Sequence, residues 1–165
     1  MVALPGVVEE EMGTLEPVDL LLRLVATVLC GGLIGLEREL RRKPAGLRTM
    51  MLVAVGSSVF ALIALEVTRI PGGYDSGGDM GRILQGVVAG LGMLGAGLFL
   101  HRDTTVRLAT SGAGVWLAGA AGMACGLGLF LLASLATGLA LLVLAGIGWA
   151  ERHLPGRKHV EPGQG

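Results

Sequence analysis

Four long stretches of the chain contain no Asp, Glu, Lys or Arg: residues 24–36, 49–65, 83–100 and 108–150. An apolar stretch of about 18 residues or more can cross the hydrocarbon core of a bilayer as a helix. The last stretch would extend about 64 Å as one helix, so it must fold back, and the glycines beside Leu127 mark a turn. The pattern predicts five membrane-spanning helices, at about residues 18–37, 48–66, 82–100, 107–125 and 127–150.

The orientation of this bundle follows from the basic residues outside the apolar stretches. Most of them lie in the connections after the first and third spans and in the tail, which share one face of a five-span bundle. Basic residues mark the cytoplasmic side, so we expect the N-terminus outside and the C-terminus in the cytoplasm. The predicted fold is an all-α, polytopic membrane helix bundle, with an acidic leader (1–17), a transmembrane domain (18–150) and a short cytoplasmic tail (151–165).

The composition agrees with this class of protein. Hydrophobic residues make up 52% of the chain and charged residues 16%, there are 29 glycines, and the formal net charge is zero. Soluble domains contain about 25% charged residues and about 7% glycine. A chain without net positive charge is not expected to bind nucleic acid. Cys30 and Cys125 both lie in apolar surroundings and predict neither a disulfide framework nor a metal cluster.

Small residues recur at four-residue spacing within the predicted spans. The set comprises Gly31 with Gly35, Gly86 with Gly90, Ser134 with Gly138, and the row Gly114, Ala118 and Gly122. This spacing places small side chains on one helical face and lets neighbouring helices approach closely. Residues 90–97 contain four glycines, which is hard to explain by packing alone. Because glycine weakens a helix, we expect a kink or a local opening there.

Several charged residues lie within or beside the predicted spans, where they are costly unless they are paired or functional. Arg23 has an acidic neighbour one turn earlier, Asp19, so it forms an ion pair at the helix end or has a functional role. Glu37 directly follows an apolar run and could turn inward to pair with Arg48. The basic run at residues 41–43 is typical of segments that contact anionic lipid headgroups.

A second polar group lies at the start of the third span. Asp79 is suited to cap this helix, and Arg82 and Gln85 share a face that we expect to point inward. Thr110 and Ser111 add hydroxyls near the start of the fourth span. The chain shows no spacing typical of a catalytic centre or a metal site. We therefore predict no enzymatic activity, no resident metal and no cofactor.

Two neighbouring motifs carry a resemblance to a known family. Residues 35–39 read Gly-Leu-Glu-Arg-Glu, and residues 43–49 read Lys-Pro-Ala-Gly-Leu-Arg-Thr. With the later polar positions and the glycine-rich segment in the same order, the chain resembles the MgtC/SapB family of bacterial inner-membrane proteins over about residues 18–150. The family motifs and the polar positions together give the candidate functional residues: Arg23, Glu37, Arg38, Lys43, Pro44, Gly46, Arg48, Asp79, Arg82, Gln85, Gly92, Gly95, Thr110 and Trp116.

The chain also departs from the family pattern. Met50 stands where the family often has histidine, and residues 108–113 differ from the more usual Gly-Leu-Thr-Thr-Ala-Ala. The cytoplasmic C-terminal domain of the longer members is not expected in this chain. The resemblance is therefore to a short, SapB-like form.

The resemblance implies a role in growth under magnesium limitation and, in pathogens, in survival inside host cells. Two functions stay open. The first is a regulatory membrane protein whose basic loop docks a partner or anionic lipid, and the resemblance implies the proton-driven ATP synthase as such a partner. The second is a transporter of magnesium or another small ion or solute, with a binding site in the third span. A chain of this size would then need to act as a homo-oligomer. We favour the first.

Overall fold

The structure is a computed structural model that describes residues 15–68, 78–97 and 105–153, with the side chains of residues 79, 105–109 and 147–153 left outside the description. The described residues form five α-helices and no strand, which confirms the all-helical prediction. The helices are α1 (Pro17–Leu40), α2 (Leu47–Val67), α3 (Gly78–Gly97), α4 (Thr105–Gly126) and α5 (Phe130–His153). Each coincides in order and approximate position with a predicted segment.

Three of the helices, α1, α2 and α4, pack against one another in the centre of the bundle, while α3 lies against α2 and α4, and α5 against α1 and α4. Glycines make the central contacts close. A Cβ atom on Gly31 would lie 2.7 Å from the Cβ of Ala54, and one on Gly122 would overlap the carbonyl oxygen of Ala54. The predicted role of small residues in helix packing is therefore confirmed along α1 and α4.

Three of the glycines predicted to pack in this way, Gly86 and Gly90 of α3 and Gly138 of α5, have no such role inside the described bundle. A Cβ atom on Gly86, Gly90 or Gly138 would meet no atom within 4 Å. The glycine-rich part of α3 is helical without a break up to Gly97, so the expected local opening at residues 90–97 is wrong. Glycine lowers the stability of a helix but does not end one whose backbone hydrogen bonds are complete.

Two of the described helices, Pro17–Leu40 and Leu47–Val67, are long enough and apolar enough to cross a bilayer, with mean hydropathies of 1.9 and 2.2, and Phe130–Gly146 is a shorter apolar segment. Large apolar side chains on their outer faces are exposed, among them Leu29, Leu52 and Leu139. Such faces are stable against lipid and unfavourable in water. The bundle thus belongs in a membrane, while the number of spans and their orientation stay predictions. The predicted leader lies mostly, and the tail largely, outside the described residues.

Candidate functional site

Arg38, near the C-terminal end of α1, is the largest fully buried side chain of the described residues, with 1% of its surface exposed. Its Nε donates to the carbonyl oxygen of Ala45 at 3.0 Å, and Nη2 donates to that of Pro44 at 2.9 Å. On α4, Nη1 donates to the carbonyl oxygen of Thr110 at 3.1 Å, and Nη2 donates to Ser111 Oγ at 2.5 Å. One guanidinium therefore joins α1, the following loop and α4. We call this end of the bundle the motif end.

The backbone of the α1–α2 loop presents its carbonyl groups to Arg38 because two residues adopt left-handed conformations. These are Arg42, with φ 52°, and Ala45, with φ 57°. The amide of Lys43 also donates to the carbonyl oxygen of Arg38 at 3.0 Å, which closes the turn. Gly46 is not one of these left-handed residues, since its φ is −94°.

Gly46 is required for a different reason, which is the close approach of the Glu39 carboxylate. A Cβ atom at Gly46 would overlap Glu39 Oε2, and the same oxygen accepts the amide proton of Leu47 at 3.1 Å. The carboxylate thereby satisfies one of the unpaired amides at the start of α2 and places negative charge at a helix N-terminus. Sequence reasoning did not single out Glu39, although an acidic residue shortly before a helix is a recognisable signal.

Glu37 forms an ion pair with Arg41, with 2.5 Å between Glu37 Oε1 and Arg41 Nε. The predicted pairing of Glu37 with Arg48 is therefore wrong. Arg41 follows one helical turn after Glu37 on the same face, whereas Arg48 is exposed in the first turn of α2. Arg41 Nη2 also donates to the carbonyl oxygen of Ala145 at 3.1 Å and so ties the loop to α5.

The charges of the motif end fall into two groups. Arg38 is surrounded by neutral acceptors, namely three carbonyl groups and one hydroxyl. The side chains of Arg42 and Arg48 are instead exposed, and Lys43 is half-buried beside them. The motif end thus combines an internal network with an outer basic surface, defined here by Arg42, Lys43 and Arg48.

The polar residues of α3 do not join this network. Gly95 of α3 packs on Gly112 of α4, and Leu91 lies against Gly119, so α3 runs antiparallel to α4. The N-terminal half of α3, with Asp79 and Arg82, therefore lies away from the motif end.

The local geometry of these residues also differs from prediction. Arg82 and Gln85 are both exposed, so the expectation that they point inward is wrong. Their part of α3 carries open glycines and lacks the close helix contacts that would bury them. Asp79 lies inside the first turn because α3 begins at Gly78, so it is not the capping residue, and its side chain lies outside the described residues.

Two crevices flank α3. The one shared with α2 has a volume of about 380 Å³ and is lined by residues that include Ser57, Phe60, Gly86 and Gly90. The crevice shared with α4 has a volume of about 320 Å³, and the predicted residues Gly92, Gly95 and Trp116 are among those that line it. Both are predominantly apolar clefts between helices.

At the opposite end of α1, Arg23 forms the predicted pair with Asp19. The Nη2 and Oδ2 atoms lie 2.9 Å apart. Arg23 Nη1 also donates to the carbonyl oxygen of Gly126 at 2.8 Å. A Cβ atom at Gly128, which has a φ of 78°, would lie 3.1 Å from the guanidinium. Arg23 therefore connects α1 to the α4–α5 turn, a role that the local sequence pattern could not indicate.

Sequence reasoning also missed contacts between residues distant in the chain. Thr27 Oγ1 and Ser58 Oγ lie 3.0 Å apart between α1 and α2, and both side chains are fully buried. Within the described parts of the chain, no three His, Cys, Asp or Glu residues are grouped so that they could hold a metal ion.

Apolar helices of membrane-spanning length, packed around small residues and joined by a buried arginine, define an integral membrane protein of the helix-bundle class. A family model described as the MgtC family matches residues 24–153, and the chain belongs to this family.

Similar proteins occur in several bacteria. Protein MgtC of Salmonella typhimurium is 40% identical over 110 residues, which cover 67% of this chain and 44% of that protein. Protein SrpB of Synechococcus elongatus is 36% identical over 118 residues, which cover 67% of this chain and 64% of that protein. YhiD of Escherichia coli K12, named as a candidate magnesium transporter, is 36% identical over 115 residues, which cover 69% of this chain and 54% of YhiD.

The aligned region therefore spans less than half the length of MgtC. No solved structure matches the chain.

Proposed function

We propose that the chain is a non-enzymatic regulatory protein of the bacterial inner membrane that acts through a membrane partner during magnesium limitation or stress. It crosses the bilayer five times and keeps its motif end in the cytoplasm, in keeping with the excess of basic residues there. The link to magnesium is supported by the name of its relative YhiD.

The observation that carries this proposal is the division of charge at the motif end. Arg38 connects α1 to α4 and Glu39 connects it to α2, while Glu37 pairs with Arg41. Arg41 in turn donates to a carbonyl group of α5. These contacts hold the loop in one conformation, while Arg42 in the loop and Arg48 in the first turn of α2 remain exposed. A loop that presents cations at defined positions is suited to bind an acidic surface, because little conformational entropy is lost on docking. By family analogy the partner is the ATP synthase.

The test is cross-linking in native membranes. The double variant Arg42→Glu and Arg48→Glu reverses the exposed charges without touching the Arg38 network. Arg82→Glu is the matched control, since Arg82 is also an exposed arginine but lies away from the motif end. We expect the double variant to lose the cross-linked partner and to fail in supporting growth at low magnesium, while the control keeps both.

Retention of the partner and of growth by the double variant would contradict the proposal. A reporter fused to the C-terminus checks that the variants keep their orientation, because basic residues influence topology.

The second candidate function is transport of magnesium or another small ion or solute by a homo-oligomer. It is favoured by the crevices beside α3 and by the open glycines at positions 86 and 90, which leave this helix without close neighbours on one side. A second copy packed there would complete the wall of a pathway. Magnesium flux into proteoliposomes decides between the functions. We expect flux no greater than that into empty vesicles, and a clear excess would support the transporter.

A further inference from the structure

Cys30 of α1 and Cys125 of α4 lie side by side inside the bundle, although 95 positions separate them in the chain. Their Sγ atoms are 3.9 Å apart. Cys125 is fully buried, whereas Cys30 is half-buried. Both pack with small side chains, namely Ala26, Ala124 and Ala133. We propose that these two cysteines form a dithiol site that uncharged peroxides oxidise to a disulfide between α1 and α4.

The surroundings select the type of oxidant. Cys30 lies near the middle of the apolar helix α1, so a reagent must pass through lipid or between helices to reach it. A charged oxidant pays a large desolvation cost on this path, whereas a small uncharged peroxide does not. The neighbours of the two sulfurs are small alanine side chains, and closing the gap of 3.9 Å to a disulfide bond of about 2.05 Å takes a movement of about 2 Å.

The reaction with hydrogen peroxide proceeds in two steps. The sulfur of Cys30, the more accessible thiol, attacks one oxygen of the peroxide while its proton transfers to the other, the O–O bond breaks, and the second oxygen leaves as water. This step gives a sulfenic acid at Cys30. The sulfur of Cys125 then displaces the hydroxyl group, which leaves with the second thiol proton as water. Two electrons pass from the thiols to the peroxide, and every species that remains in the protein is neutral.

The product would link α1 to α4 at the residue before Gly126, whose carbonyl oxygen binds Arg23. On α1 the covalent bond would lie about two helical turns from Arg23, and both would tie α1 to the C-terminal end of α4. Reduction of the disulfide by an external thiol would restore the starting state.

The experiment uses the full chain in lipid vesicles, treated with hydrogen peroxide and then alkylated and digested without reductant. We expect mass spectrometry to find one cross-linked peptide that contains Cys30 and Cys125, in a protein that stays free of links between chains. Because the folded bundle holds the thiols in contact, the link should form on the order of tenfold faster than in protein unfolded in SDS. A rate no faster than in SDS overturns the proposal.

The Cys30→Ser variant is the matched control, because it keeps the buried thiol and removes its partner. After peroxide treatment and unfolding, its Cys125 should still react with the alkylating reagent. Oxidation of Cys125 in this variant, or conversion of Cys30 in the native chain only to sulfinic or sulfonic acid, contradicts the site. Oxidised glutathione, which is charged, should leave both thiols of the native chain reduced, and rapid formation of the link by it would also refute the proposed selectivity.

Discussion

Replacement of Arg38 by methionine tests whether the buried arginine holds the motif end together. Methionine has a similar length and fills much of the same space, so the change removes the hydrogen-bond donors more than the volume. Four acceptors lose the guanidinium as a donor, namely the carbonyl groups of Ala45, Pro44 and Thr110 and the hydroxyl of Ser111.

The magnitude follows from the hydrogen bonds that the guanidinium no longer donates, of which the one to Ser111 Oγ is buried and the other three are partly buried. Each loss costs about 1–3 kcal/mol when nothing replaces the donor, but water at the membrane surface can reach some of the loop carbonyl groups. Removal of the guanidinium also removes the desolvation cost of a buried positive charge, which offsets part of the loss in stability. We expect a net loss of about 2–4 kcal/mol, which is a large part of the roughly 5–15 kcal/mol that stabilises a typical domain.

The assay is the free energy of reversible unfolding in detergent micelles, measured by loss of helical circular dichroism during titration with SDS. Arg38→Lys should lose about half as much as Arg38→Met, because the single ammonium group cannot reach both the loop and α4. Arg82→Met, at an exposed arginine, is the control and should change stability by less than about 0.5 kcal/mol. A loss below about 1 kcal/mol for Arg38→Met would refute the structural role of the network.

Four further substitutions follow from the glycine contacts and are measured by the same unfolding titration. Gly122→Ala should cost about 1–3 kcal/mol, since its Cβ overlaps the carbonyl oxygen of Ala54, whereas Gly138→Ala, which meets no atom within 4 Å, should cost nothing. Equal effects at the two positions would contradict the helix contacts described here. Gly46→Ala should cost about 1 kcal/mol because it displaces the Glu39 carboxylate from the start of α2. Glu39→Ala should cost a similar amount, and the double variant should add little; full additivity would show that the two residues act separately.

The helices could be predicted closely from the sequence because their signals are local. Runs without charge place α1 to α5, and the turn beside Leu127 falls between the observed α4 and α5. Helix ends were less predictable. The helix α1 continues to Leu40, past the predicted end at residue 37. Its last turn accommodates the charges of Glu37, Arg38 and Glu39 because each has an ion-pair or hydrogen-bond partner.

The candidate site was predictable only in part. The ion pair of Asp19 with Arg23 joins residues one helical turn apart, so the sequence spacing was sufficient to predict it. The partners of Arg38 come from a loop and from α4, up to 73 positions away. No local pattern distinguishes such a residue from its basic neighbours in the loop. The same limit explains why Arg82 and Gln85 were expected inside, since a shared helical face does not specify which neighbour covers it.

The sequence by itself determined the class of protein, because the exclusion of charge from apolar segments follows from the cost of placing charge in lipid, whatever the arrangement of the helices. Only the tertiary structure decided which polar groups meet. Whether Arg38 lies buried among carbonyl groups, and whether Cys30 touches Cys125, depends on contacts between helices far apart in the chain. Those contacts depend in turn on which glycines let two backbones approach. Close approach requires two matching helix surfaces, so it cannot be predicted from one segment of the sequence alone.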